Sequence, residues 1–325
     1  MEEQPTSFLK PDTNRILSID LFRGIAIILM VAVNFLAAVN SIPVWLKHAP
    51  DIGYTIADIV APLFIFAIGL TYKTSFEKRI KKYEAFKTYM HFIKRYLVLV
   101  GIGAILTTGE AVFMDTPSNW GVLQAIGIAG LITLIFIRFN IYIRMISGFI
   151  LLIIYQIVLN KFLLAAVLNS SHGGLFGSIS WAAMMIIGTV AAEIFYRKKW
   201  QYLVFVITLT ILSVVSIFLV PVSKNRVSIS YVLVSITISA LFFWFLDFIS
   251  NHIKNHRGPV IWWGQNPIVL YMLHLILLGF FALVPVYSWY EGAPLWLTAL
   301  QLCFLLTGIT VVAWFLYKKK ILIVL

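Results

Sequence analysis

The chain has 325 residues, 61% of them hydrophobic and only 12% charged, with a formal net charge of +12. A soluble domain is nearer half apolar and a quarter charged, so one water-soluble core cannot hide this composition. The positive charge would suit nucleic acid, but its distribution along the chain makes that partner unnecessary.

Apolar runs long enough to cross about 30 Å of hydrocarbon, roughly 20 residues each, recur along the sequence. They lie near 16–38, 54–72, 95–113, 121–138, 141–158, 178–196, 200–220, 228–250, 265–284 and 295–316. None has the alternating period of a membrane β-strand, so the expected fold is all-α, a polytopic bundle of about ten transmembrane helices. The N-terminal tail, 1–14, contains Glu2, Glu3 and Pro5 and is expected to be retained, because the first run carries Asp20 and Arg23 where a cleaved signal would be apolar. With that tail inside, 21 of the 25 Lys and Arg fall on the same side, and only Lys47, Lys161, Lys224 and Arg226 lie outside. This asymmetry places both termini in the cytoplasm and accounts for the charge as topology and attraction to anionic lipid. The hydrophilic stretch from Lys73 to Arg95 reads as an amphipathic helix lying on the inner surface. Cys303 is the only cysteine, so no internal disulfide forms, and no repeat of fixed period is visible. The chain is expected to be one transmembrane domain in the plasma membrane, with self-association left open.

Ionisable groups inside spans cost about 2.5–3.5 kcal/mol on insertion scales, so each needs a partner or a function. Asp20 and Arg23, three apart in the first run, suit an ion pair or a ligand site. Asn34 near the outer end of that helix, His48 in the following loop and Asp58 at the start of the second run can converge at the outer mouth of one hairpin. A histidine beside a carboxylate is a general-base arrangement, since the anion fixes the imidazole tautomer. His274 reads as a hydrogen-bonded interior residue, and Gln124 and Glu193 as structural. His252 and His256 are four apart in a basic loop with no carboxylate or cysteine to complete a metal set, so no metal is expected.

Together these residues form a recognisable pattern. Arg15-Ile16-Leu17-Ser18-Ile19-Asp20-Leu21-Phe22-Arg23-Gly24 leads to Met30 and Asn34. Lys47-His48-Ala49, Gly53, Ala57-Asp58, Pro62-Leu63-Phe64-Ile65-Phe66 and Gly69 follow. This order resembles the heparan-α-glucosaminide N-acetyltransferase family of transmembrane enzymes. Gly121-Val122-Leu123-Gln124 is similar to the family's mid-chain motif, although Ala125 stands where an arginine often follows. Pro221-Val222-Ser223-Lys224-Asn225, with Ser228, Ser230 and Tyr231, resembles its lysine–asparagine loop; Asp247 and the stretch from Gly264-Gln265-Asn266 to Tyr271 and His274 resemble its late helix.

The resemblance implies transfer of an acetyl group from cytosolic acetyl-CoA to an amino sugar or glycan on the far side of the membrane. It implies a prokaryotic-type member without the luminal domain of lysosomal members. His48 becomes the active-site histidine with Asn34 and Asp58 beside it, and His274, Asn266, Lys224 and Asn225 become further polar positions. Arg23, with Asp20, is the expected contact for the phosphates of coenzyme A. His48 would act as a base or as an acyl acceptor, and the residues do not choose between these. The alternative is a transporter or channel for a small polar solute, with Asp20, Arg23, Asp58 and His274 lining the path.

Overall fold

The computed structural model describes residues 17–114, 120–252 and 258–323. The tail 1–14, Arg15 and Ile16 of the opening motif, and Lys254, His256 and Arg257 lie outside the described residues, as does 115–119 of the outer loop. Among the described residues every regular element is helical: α1 Leu17–Ala37, α2 Val60–Lys82, α3 Ala85–Met114, α4 Val122–Phe136, α5 Ile141–Val158, α6 Leu164–Leu168, α7 Gly174–Arg197, α8 Lys199–Leu219, α9 Ile229–Ser250, α10 Pro259–Gln265, α11 Pro267–Ala282 and α12 Leu295–Lys318.

The protein is a multi-pass membrane protein, and among the described residues eight helical segments are long and apolar enough to span a bilayer. The two other expected runs take different forms. The run at 265–284 is a broken pair, α10 and α11, bent by 97° at Asn266. Pro267 removes a backbone donor and pushes the residue before it out of the helical region, which ends α10 and restarts the chain as α11. The run at 121–138 becomes α4, only 15 residues, or roughly 22 Å at 1.5 Å per residue.

The stretch Lys73–Arg95 is not a separate surface helix. Its first part completes α2, and after a break at Tyr83 and Glu84 the rest begins α3. Tyr72 and Phe76 of α2 make ring contacts with Tyr89, Phe92 and Tyr96 of α3, while Tyr83 and Phe86 at the turn are exposed. Hydrophobic periodicity alone cannot tell such a helical hairpin from a helix lying in the interface.

α7 is the most enclosed span, with 83% of its apolar window buried against 22% for α12. α2, α4 and α5 pack on it, while α1 sits between α2, α9 and α10. Glycine brings α1 and α10 together: a Cβ on Gly24 would meet the Val260 carbonyl oxygen at 1.9 Å, and one on Gly264 the Asp20 carbonyl oxygen at 2.1 Å. Phe22 fills the space beside them, in ring contact with Phe66, Phe242 and Phe243.

The bundle has two chemically distinct ends. At one, Glu193 of α7 is gripped by Lys73 at 2.6 Å, by Arg197 at 2.5 Å and by Arg144. Arg144 is buried and also donates to Thr189 at 2.6 Å. Lys199 pairs with Asp247 at 2.5 Å at the same end. The C-terminal segment is here too, where Asn266 donates to the Ile321 carbonyl at 2.9 Å and accepts from the Ile323 amide at 2.8 Å. The opposite end is made of loops bonded to each other: Gly53 N–H to the Val222 carbonyl at 2.9 Å, and Asn40 N–H to the Glu291 carbonyl at 2.7 Å.

Candidate active site

The loop end holds the strongest chemical constellation. Two short 3₁₀ turns, Val44–Leu46 and Ile56–Ile59, carry the chain from α1 to α2, and Asp58 sits in the second, capping it. The Asp58 side chain is fully buried. Its Oδ2 accepts from the Thr55 amide at 3.0 Å and the Ala49 amide at 3.3 Å, and shares the Thr55 hydroxyl, 3.0 Å away, with the Lys47 carbonyl at 2.7 Å. Its Oδ1 faces His48 Nδ1 at 2.8 Å. Donors therefore surround an ionised carboxylate, which takes the remaining hydrogen from His48 Nδ1. That tautomer leaves the Nε2 lone pair as the basic atom, on a ring whose side chain is 36% exposed.

The loop after α8 completes the mouth. Arg226 forms an ion pair with Asp51, and Ser223 donates to Asp51 at 2.7 Å. The Arg226 guanidinium foremost, with the Ser223 hydroxyl, holds the Asp51 carboxyl below its ordinary value. Asn225 donates to the Pro50 carbonyl at 2.5 Å. These bonds staple the His48 loop to residues 220–228 and so fix where the imidazole stands. Lys224 is buried in the same loop, and burial brings its ammonium down to about 8 against the opposing pull of Asp58. Tyr231 of α9 donates to the Asp58 carbonyl at 2.8 Å.

Residues 15–220, more than half of the chain, match the family model described as heparan-alpha-glucosaminide N-acetyltransferase, catalytic. The chain belongs to the heparan-alpha-glucosaminide N-acetyltransferase family. The human heparan-alpha-glucosaminide N-acetyltransferase is 34% identical over 122 residues, which is 35% of this chain and 18% of the human one. The mouse protein of the same name is 30% identical over 127 residues, 37% of this chain and 18% of its own. The match thus spans less than a fifth of the length of either relative. Asn34, His48 and Asp58 lie inside the family match, whereas Lys224, Asn225, Asn266 and His274 lie beyond it.

The structure distributes the residues singled out by sequence over three places. His48 and Asp58 are in direct contact. Asn34 bonds instead with His274 Nε2 of α11, at 3.0 Å, and His274 is fully buried, as expected of an interior residue. Arg23 and Asp20 lie at the other end of α1; their closest approach is 3.9 Å, and Arg23 donates to Thr71 at 2.8 Å. Lys224 and Asn225 are loop residues beside His48, while Asn266 belongs to the opposite end, holding the C-terminal segment. Gln124 caps its own helix, accepting from the Gly121 amide at 2.6 Å. Among the described residues no group of three metal-ligating side chains occurs.

One residue went unnoticed in the sequence. His172 lies in the turn-rich loop before α7, within electrostatic reach of both His48 and Lys224. Its backbone has φ 54° and is followed by Gly173 and Gly174 at φ 76° and 62°, a run of left-handed residues that glycine tolerates and that turns His172 inward. Its carbonyl accepts from the Trp181 indole at 3.0 Å, and its Nδ1 is buried without a hydrogen-bond partner. The Ser-His-Gly-Gly run was the available signal, but nothing local ties it to a loop 120 residues away.

Proposed function

We propose that the chain is a membrane-embedded acyltransferase that carries an acetyl group from cytosolic acetyl-CoA to the amine of an amino-sugar or glycan acceptor outside. In this reading the end rich in Lys and Arg is cytoplasmic, the loop end is extracytoplasmic, and the protein resides in the plasma membrane. The observation that carries the proposal is the His48–Asp58 pair, a base with a buried orienting anion at the mouth of a membrane bundle. Family membership supports the reaction class.

Acetyl-CoA is the acyl donor and no metal is involved. Arg23 and Asp20 on the inner part of α1 contact its phosphates, and the thioester arm enters between the helices. In direct transfer the acceptor nitrogen attacks the thioester carbonyl, the C–N bond forms as the C–S bond breaks, and His48 Nε2 takes the nitrogen's proton and returns it to the thiolate. In a relay Nε2 itself attacks the thioester carbonyl and the coenzyme A thiolate leaves as the C–S bond breaks; the acceptor amine then attacks the acyl-imidazole, the C–N bond to Nε2 breaks, and the freed imidazole takes the amine's proton. Asn34, held by His274, orients the acyl carbonyl, and Lys224 with Asn225 preserves the charge and position of the Asp58 loop.

The discontinuous pair α10–α11 is the feature that would favour a solute transporter. Its break, however, is occupied by backbone from 321–323 bonded to Asn266, which supports a structural joint. The test is a thermal shift with acetyl-CoA on the purified chain, followed by transfer to glucosamine. Saturation to 100 times Kd should stabilise by about 2.7 kcal/mol. His48→Ala should keep that shift and lose transfer; no shift at any acetyl-CoA concentration overturns the proposal. Radiolabel retained on the protein without acceptor would select the relay.

A further inference from the structure

The α2–α3 hairpin carries eight basic residues between Lys73 and Arg95 and only two acidic ones, Glu77 and Glu84. Both acids are engaged with lysines, Glu77 with Lys73 at 3.8 Å and Glu84 with Lys87 at 3.6 Å. Neither arginine of the hairpin forms an ion pair among the described residues. Arg79 Nε and Arg95 Nε are instead buried with no acceptor, and so is the hydroxyl of Thr88, a residue of zero exposure. Three orphaned polar groups on one hairpin are costly unless something supplies their missing acceptor.

Their positions converge. Phe76 of α2 touches Tyr89 and Phe92 of α3, which sets the two antiparallel helices in register at about His91. Arg79 lies three residues past Phe76, with its guanidinium 4.8 Å over the Tyr83 ring, and Arg95 lies four past His91, with its guanidinium 5.8 Å over the Tyr96 ring. His91 stands within electrostatic reach of both guanidiniums. Thr88, His91 and Arg95 share one face of α3 by their spacing of three and four.

We propose that Arg79, Thr88, His91 and Arg95 form a receptor for the phosphate of an anionic membrane lipid. Two guanidiniums offer forked donors that match a phosphate, and the hydroxyl and imidazole add further contacts. The lipid is favoured over a soluble phosphate by what lies next along α3. Val98, three residues past Arg95, and Ile105, seven further, form an exposed apolar stripe on that face, at 44% and 74% exposure, along which acyl chains would lie.

The test uses the full chain, delipidated in detergent and titrated with phosphatidylglycerol or phosphatidylcholine of matched chains, read by native mass spectrometry. Phosphatidylglycerol should bind more tightly than phosphatidylcholine, and Arg79→Gln with Arg95→Gln should weaken it roughly tenfold or more, the loss expected for charge-assisted contacts. A second variant, Lys81→Gln with Lys82→Gln, removes the same charge from exposed positions and should change binding less than twofold. Equal loss in both variants means diffuse attraction and overturns the site, as does unchanged binding in the arginine variant. Displacement of the lipid by millimolar inorganic phosphate or acetyl-CoA also overturns it, by assigning the phosphate to a soluble ligand. If the glutamine variant does not fold, Arg79→Lys with Arg95→Lys decides: charge is kept and the fork is lost, so a several-fold weakening is expected and wild-type affinity refutes the proposal.

Discussion

Replacing Asp58 by asparagine separates the orienting role of the carboxylate from its role in holding the loop. Asp58 Oδ2 faces three donors, Thr55 N, Ala49 N and a Thr55 hydroxyl shared with the Lys47 carbonyl, whereas Oδ1 receives His48 Nδ1. The single carbonyl oxygen of asparagine will settle where three donors point, which places its NH₂ against His48 Nδ1. Nδ1 must then accept, the proton moves to Nε2, and the outward nitrogen loses its lone pair. The loop keeps most of its bonds, and the lost charge-assisted contact costs about 1.5–3 kcal/mol of stability. Removing a correctly poised base typically costs about 10²–10⁴ in rate. Acetyl transfer from acetyl-CoA to glucosamine in proteoliposomes reads the rate, and nitrogen chemical shifts of labelled His48 read the tautomer. Asp58→Asn activity within about threefold of wild type, with folding intact, would refute the tautomer argument, since such a variant would fall far short of a base's contribution.

Lys224 gives a stability signature in pH. Its folded value of about 8 lies below the ordinary 10.5, so between those limits the unfolded chain binds more protons and stability rises with pH. Lys224→Met should remove this contribution, and melting curves of the two proteins that run parallel from pH 8 to 10.5 would contradict it. Gly24→Ala places a methyl on the Val260 carbonyl oxygen, a backbone atom that cannot rotate away; the expected result is loss of monodisperse protein in size-exclusion chromatography, and wild-type behaviour would show that α1 and α10 part easily. Arg23→Gln should weaken acetyl-CoA binding roughly 10- to 150-fold without altering the His48 end. Full recovery of expression and affinity in the double variant Asp20→Asn, Arg23→Gln would remove Arg23 from the donor site.

The His48–Asp58 contact was legible in the sequence because ten residues of loop separate the two, too few to let them stray far. The partner of Asn34 was not legible by proximity along the chain: His274 is 240 residues away, and only the packing of α11 against α1 brings them together. The same holds for Arg144 and Glu193. Each looks like an isolated polar residue in an apolar run, and only helix packing shows that they neutralise each other beside Lys73 and Arg197.

The sequence by itself determined the solvent and the class of fold. Apolar runs near bilayer length admit only helices, because backbone groups in lipid must be satisfied within their own segment, and the Lys and Arg count sets the orientation proposed for them. The break before Pro267 was not foreseen in the expected run 265–284, although its cause, a missing donor and a steric clash, is local. The tertiary structure alone decided which helices meet and which loops close over His48. The stapling of Asp51 to Arg226, the burial of Lys224 beside Asp58 and the approach of His172 all depend on long-range packing of α7 and α9. Such contacts join residues far apart in the chain through many small dispersion and hydrogen-bond terms, and no local pattern records their sum.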